Sequence, residues 1–335
     1  MPVGDSLTDL PLAPCSVAVF APSPVVTITV EAGSGDEPDI HLHAGGQGFW
    51  VARMAARLGA KVTLCVPLGG ESGTVLKSLL SVDGISVLSV ETEDPNGAYI
   101  HDRRSGTREV VAETSSPPLA RHELDDLYGV TLAAGLDSDV VLITGPRNPG
   151  ILSAGVFERL CRDLSTNGCL VAADLSGEAL TGALRGGLDF LKVSHEDLAL
   201  DGRLAERELE ATAEVARGLR EAGAANVLVS RAAEPAILLS GESELQVNGP
   251  HFEPVDEHGA GDSLFAGIGV GLGAGLPVEV AVKLGVAAGA LNVARHGLGT
   301  GHLREVESLC EQVRIDPLQA GGVDSAARST SSTAS

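Results

Sequence analysis

The chain has 335 residues, 44% of them hydrophobic, so it can bury a large core as one α/β domain or two smaller ones, and wholesale disorder is excluded. Its formal net charge of −22 argues against nucleic acid or an anionic membrane as partner, because phosphate-rich surfaces are bound through excess Lys and Arg. The uncharged run 263–278 is too short and too glycine-rich to span a bilayer. The first Lys or Arg is Arg53, which leaves no positively charged signal-peptide start. The five cysteines form no C-x-x-C pair and read as reduced thiols, most of them buried, in a cytoplasmic protein.

In chain order, residues 1–14 and 316–335 are rich in Pro, Gly, Ser and Ala without periodicity and read as mobile tails around a domain at 15–315. SVAVFAPSPVVTITVE (16–31) looks like paired strands, and NGAYIHDRRSGTREVVAE (96–113) like a second pair turning at RRSG. Buried strands are expected at 61–66, 139–144, 168–174, 189–194 and 226–230. Helical spacing fills 46–58, 121–134, 150–166, 203–222, 277–295 and 302–313. This alternation implies βαβ units and a parallel sheet covered on both faces. The helix-free pairs, about 21–44 and 96–113, suit a small β-lid over the C-terminal strand edges, where open α/β sheets bind ligands.

The stretch DEHGAGDSLFAGIGVGLGAG (256–275) carries the sharpest chemical signal. A helix over 260–275 would leave the backbone N–H groups of Gly259, Ala260 and Gly261 free at its first turn, an anion-binding arrangement. Asp262 would sit beside that pocket, able to take a proton from an attacking hydroxyl, as phosphoryl transfer requires. Taken alone, the tetrapeptide favours the plainer reading, a helix start with a favourable acid in its first turn. The glycines at 267, 269, 271, 273 and 275 read as helix-packing residues. No GK dipeptide occurs, which excludes a Walker-type loop, and GVGLGA lacks the acid that a dinucleotide site needs about 20 residues on. GESGT at 70–74 ends in Thr, so the G-x-S-x-G hydrolase pattern is absent as well.

Context decides between the two readings. HAGGQGFWVARMAARLGAKVTLCVPLGGESG (43–73) resembles the first signature of the PfkB, or ribokinase-like, carbohydrate kinases, and VDEHGAGDSLFAG (255–267) resembles the second. DLSGEAL (174–180) and LKVSHEDL (191–198) are similar to segments of the 1-phosphofructokinase and tagatose-6-phosphate kinase branch, in matching order from about residue 16 to 313. The resemblance implies a three-layer αβα sandwich with a mostly parallel sheet and a β-lid. It implies transfer of the γ-phosphoryl group of ATP, with Mg2+, to a sugar or sugar-phosphate hydroxyl, and a homodimer formed through the lid.

Carried over by position, Asp262 is the base and Gly259, Ala260 and Gly261 form the anion hole. Lys192, Ser194, Ser230, Arg231, Ala232, Val286 and Ala290 line the nucleotide, with Asp197 holding the metal indirectly. Thr27, Gly45, Gly46, Gln47 and Trp50 join Asp262 at the acceptor. The acceptor end departs from the family pattern. Thr27 stands for an Asp, Gln47 for a Lys and Trp50 for an Asn, and Asn96-Gly97-Ala98-Tyr99 stands for Thr-Arg-x-Asn. Arg103, Arg104 and Arg108 in the same flap read as a solvated turn, with compensation for the lost cations as the alternative. Ala232 and Pro235 replace two glycines of the nucleotide loop, and Ser194 and Asp197 are shorter than the family's Asn and Glu. These departures keep two further readings open: a kinase for a nucleoside or other small metabolite, and a ligand-binding paralogue without turnover.

Overall fold

A computed structural model describes residues 12–318 except 36, 147, 149, 207, 253–257 and 296–298. The chain begins with β1 (Ser16–Phe20), β2 (Val25–Glu31), β3 (Asp39–Gly45), α1 (Gln47–Arg57), β4 (Lys61–Gly69), α2 (Gly70–Leu80), β5 (Ser86–Thr92), β6 (Gly97–Asp102) and β7 (Glu109–Thr114). It continues through α3 (Arg121–Leu136), β8 (Val140–Thr144), α4 (Ala154–Thr166), β9 (Val171–Asp174), α5 (Gly177–Gly186), β10 (Leu188–Ser194), α6 (His195–Leu200), α7 (Leu209–Glu221) and β11 (Ala224–Arg231). It ends with β12 (Glu234–Ser240), β13 (Ser243–Asn248), α8 (Ala260–Gly273), α9 (Val278–Val293), α10 (Leu303–Cys310) and β14 (Arg314–Pro317).

Ten strands form one sheet in the order β14-β13-β12-β11-β10-β9-β8-β1-β4-β5. Every neighbouring pair from β11 to β5 is parallel, and β11 through β14 continue antiparallel. Alternate side chains of these strands enter two separate apolar layers. Val17, Val19, Leu142, Phe190 and Leu228 pack with α1, α2, α8, α9 and α10. Ala18, Phe20, Ile143, Leu191 and Val229 pack with α3, α4, α5 and α7. The result is the three-layer sandwich with a mostly parallel sheet that the alternation implies.

A second sheet, ordered β3-β2-β6-β7, forms the lid. β2 pairs antiparallel with β3 and parallel with β6, so the two inserted hairpins close into one sheet. The stretch 16–31 is therefore no hairpin of its own. β1 is fully committed to the main sheet between β4 and β8, while β2 crosses to the lid after Ala21–Pro24. At the other end, residues 316 and 317, assigned to a tail by composition, extend the main sheet. Ile315 and Asp316 pair with Val247 and Gln246 in β13. Residues 1–11 and 319–335 of the expected tails lie outside the described residues, whereas Leu12 packs on the core.

Of the five glycines after Phe265, Gly267 and Gly271 pack α8 against α9, whereas Gly275 lies past the end of α8 at φ +76° with open space around it. A Cβ on Gly267 would stand 2.7 Å from the Cα of Gly285, and one on Gly271 2.8 Å from the Cα of Ala281. Gly269 and Gly273 instead face Leu142 and Val140 of β8. All five cysteines are unpaired, Cys169 alone among them only partly buried. Among the described residues no helix is long and apolar enough to cross a membrane.

Candidate active site

The C-terminal ends of four adjacent parallel strands bring Thr144, Asp174, Lys192, Ser194 and Ser230 to one edge of the sheet. Register fixes this: Thr144 lies beside Asp174, Asp174 beside Lys192, and Ser194 beside Ser230. Above that edge α8 begins at Gly259, whose φ of +72° is the left-handed conformation that glycine adopts without penalty. Among the described residues no side chain caps this helix start. The first-turn N–H groups therefore stay available to an anion, and the helix dipole favours one there.

Beneath this opening lies a buried ion pair. Lys192 Nζ donates to Asp174 Oδ2 at 2.8 Å, both side chains being almost fully enclosed. A Cβ on Gly261 would stand only 3.0 Å from the same Nζ, so the ammonium sits directly under the start of α8 and would have to give way to a side chain at 261. Burial works against the Lys192 charge, but Asp174, with Asp262 and Asp197 beyond it, holds its proton more firmly than in an ordinary lysine. Asp262, in the first turn of α8, has its carboxyl pushed up to about 7 by burial and by the Asp174 charge, against the pull of Lys192. A carboxyl so placed exchanges its proton near neutrality, as a general base needs to.

Around this centre the other expected residues fall as follows. Ser194 caps α6, its Oγ accepting from Asp197 N at 3.0 Å and donating to the Asp197 carboxylate. His195 contacts the Ser230 carbonyl oxygen through Nδ1 at 3.2 Å and so joins the ends of β10 and β11. Ala232, where a glycine was expected from the resemblance, still adopts a glycine-like φ of +51° in the turn to β12. Arg231 is buried, ion-paired with Glu234 and donating to the Pro235 carbonyl at 3.3 Å. Val286 and Ala290 lie on α9, Val286 against Gly249.

The residues expected at the acceptor divide. Gln47 Oε1 accepts from Gly145 N at 2.9 Å and its Nε2 donates to the Asp174 carbonyl at 3.5 Å. Trp50 is half-buried on α1, its ring 4.9 Å from Phe49 and 5.9 Å from the Arg53 guanidinium carbon. Thr27, in β2 between His43 and Tyr99, is buried with a hydroxyl that has no hydrogen-bond partner among the described residues. A Cβ on Gly45 would come within 2.6 Å of that hydroxyl and 3.0 Å of the Tyr99 hydroxyl. Gly46 turns the chain from lid to α1 at φ +100°. The three lid arginines are engaged inside the lid: Arg104 on Asp102, Arg103 at 3.9 Å from Glu31, and Arg108 on the His101 ring at 3.0 Å. His41 and His43 stack on one another at 6.1 Å between ring centroids. Among the described residues no three metal-ligating side chains come together.

Two residues at this site were given no role by the sequence. Asp174 opens the D-x-S-G segment at the end of a buried strand, which was the available signal. Asn292, buried on α9, donates to the His258 carbonyl at 2.7 Å and accepts from Ser263 Oγ at 3.2 Å and Gly299 N at 3.0 Å. It fixes the segment before α8 to the one after α9, and nothing local in the sequence marks it.

The pfkB family carbohydrate kinase model matches residues 23–304. The chain belongs to that family. The kinase is 30% identical to an ATP-dependent 6-phosphofructokinase isozyme 2 of Escherichia coli over 76% of this chain and 82% of the relative. It is 29% identical to a 1-phosphofructokinase of Haloferax volcanii, over 87% of this chain and 95% of the relative. Its fold matches the structure of Escherichia coli phosphofructokinase-2 in complex with potassium at a TM-score of 0.79 and 23% identity, covering 89% of the kinase and 99% of that chain. An Arabidopsis thaliana ribokinase complexed with ribose and ATP superposes at 0.69 with 18% identity, over 89% and 99%. The relatives fit the fold read from strand alternation and the lid.

Proposed function

We propose that this kinase transfers the γ-phosphoryl group of ATP to a hydroxyl of a sugar or sugar phosphate, in a cytoplasmic setting, with Asp262 as the base. The observation that carries the reading is the Asp262 carboxyl in the open first turn of α8, above the buried Asp174–Lys192 pair. Asp262 takes the acceptor hydroxyl's proton as the oxygen attacks. The free amides at Gly259, Ala260 and Gly261 hold the oxygens of the phosphoryl group in flight, where donors set in advance act most strongly. Lys192 supplies fixed positive charge from below. Ser194, Ser230, Arg231 and Ala232 shape the nucleotide edge, and Val286 and Ala290 the adenine side.

The donor set fits a magnesium ion held mainly by nucleotide phosphates and water, with Asp197 acting through water, because among the described residues no three metal-ligating side chains come together. Such an ion, when bound, neutralises charge on the phosphates. Thr27, Gly45, Gly46 and Trp50 bound the acceptor side. Completion of the lid by a second copy belongs to the same reading. Ile40, Leu42, Val110 and Val111 are exposed on lid strands, an apolar surface that a twofold contact would cover.

The test is ADP release from Mg–ATP with fructose 6-phosphate, fructose 1-phosphate and tagatose 6-phosphate, with nucleosides as the contrary arm. Turnover on a sugar phosphate, lost by about 10²–10⁴-fold in Asp262→Asn with ATP binding retained, is the expected result. Preference for a nucleoside would move the acceptor class, and full activity of Asp262→Asn would remove the base.

A further inference from the structure

Gln47 sits at the first position of α1, two residues after lid strand β3 ends at Gly45. By resemblance it belongs to the acceptor, yet its amide is bonded to backbone. A glutamine side chain offers two N–H donors and one carbonyl oxygen. Here the oxygen accepts from Gly145 N, just past β8, and the nitrogen donates to the carbonyl of Asp174, the last residue of β9. β8 and β9 are neighbours whose ends meet at Thr144 and Asp174, so one side chain spans both strand ends and ties them to α1.

The residue it reaches is the one that holds the catalytic floor. The backbone of Asp174 takes the Gln47 amide while its carboxylate takes Lys192 Nζ at 2.8 Å. That ammonium in turn lies against Gly261 at the start of α8. A continuous line of contacts runs from β3 through α1, Gln47, Asp174 and Lys192 to the first turn of α8. Interruption of it at Gln47 frees Asp174 to shift, and Lys192 with it.

We infer that Gln47 is a positioning residue of the phosphoryl-transfer centre, coupling the lid-bearing start of α1 to the Asp174–Lys192 pair. The inference rests on the reading of Asp262 as base. Its role differs from an acceptor contact in a measurable way. An acceptor contact acts on the acceptor KM, whereas misplacement of Lys192 under α8 acts on kcat.

The experiment uses the full chain, Gln47→Met to remove both bonds at similar length, and Gln47→Glu to keep the acceptor for Gly145 N. With Mg–ATP and whichever of fructose 6-phosphate or fructose 1-phosphate the wild type phosphorylates, Gln47→Met is expected to lose about tenfold or more in kcat. Both KM values should stay within about twofold, and Gln47→Glu should recover part of the loss. An acceptor KM raised about tenfold with kcat intact, or no change at all, overturns the inference.

A second readout needs no acceptor. Charged groups facing Asp262 are Asp174 on β9 and Lys192 on β10, with Asp197 on α6 acting on both of these. Loosening of Lys192 removes the charge that offsets ionised Asp262. Gln47→Met should then lower Tm more at about pH 8 than at about pH 5, and the difference should vanish on an Asp262→Asn background. Equal losses at both pH values would mean a brace without coupling to the centre. If the wild type phosphorylates nothing, the functional reading fails while this comparison still decides the coupling.

Discussion

The floor of the cleft and the lid above it dispose of their polar groups in opposite ways. On the floor, Asp174, Lys192, Gln47, Ser194 and Asn292 are all bonded to one another or to backbone within one chain. In the lid, the Thr27 hydroxyl is buried without a partner, and Ile40, Leu42, Val110 and Val111 lie exposed. A buried unsatisfied hydroxyl costs about 1–3 kcal/mol and exposed aliphatic side chains bury nothing, whereas the cost carried by the floor is the enclosed charge of Asp262. One protomer thus pairs the polar groups of its floor and leaves the lid with an unmet hydroxyl and exposed apolar side chains. The acceptor, a second copy, or both would complete it.

The largest effect that would sharpen this contrast is expected on the floor. Lys192→Met strands the buried Asp174 carboxylate and should destabilise the fold by about 3–5 kcal/mol, read by chemical denaturation. A loss under about 1 kcal/mol would mean that the pair is not enclosed as described.

Next comes Asp262. Its folded carboxyl is pushed up to about 7, whereas unfolded it titrates near an ordinary value of about 3.9. Below about pH 4 both states are protonated and nothing is lost. As pH rises from about 4 to about 7 the unfolded chain releases the proton first, and stability falls. Asp262→Asn should therefore stabilise the protein relative to wild type at about pH 8, by on the order of 2 kcal/mol given solvent screening in the open cleft. The gain should disappear near pH 4. A gain independent of pH would assign the effect to something other than this carboxyl.

Two smaller effects probe the lid. Thr27→Val removes the unpartnered hydroxyl at equal size, so stability should hold or rise by about 1 kcal/mol, while the acceptor KM increases if the hydroxyl meets the acceptor. Ile40→Asp with Leu42→Asp should convert a dimer into monomers by sedimentation without changing the monomer's Tm by more than a few degrees. A dimer that survives both would place the interface elsewhere.

Much of the floor was legible in the sequence because it is local. Gly259–Asp262 form a helix start, and a helix start is a property of adjacent residues. The central strands were legible because both faces are buried and their runs are continuously apolar. What was hidden depends on distant partners. β1 and β2 are contiguous and similarly β-branched, and only the crossing at Ala21–Pro24 sends them to different sheets. α2 starts on GESGT, poor in helix formers, and is held by burial of Leu76 and Leu80 instead. β12 offers only the short apolar run 236–239, bounded by Pro235 and Gly241, and β13 (SELQVN) alternates weakly, so neither pattern stands out. Gln47 and Asn292 act across 98 and 34 residues of chain, which no window along the sequence contains.

The glycine contact between α8 and α9 has a meaning for the cleft as well. Gly267 and Gly271 lie against Gly285 and Ala281 with backbone nearly touching backbone. With no side chains to flex, this contact works as a ruler: it sets how far α8 can slide along its own axis. Asp262 lies on the same rigid rod, nine residues and about 13 Å before Gly271. A methyl group added deep in that contact, remote from any substrate, would be felt at the other end as a displaced carboxylate.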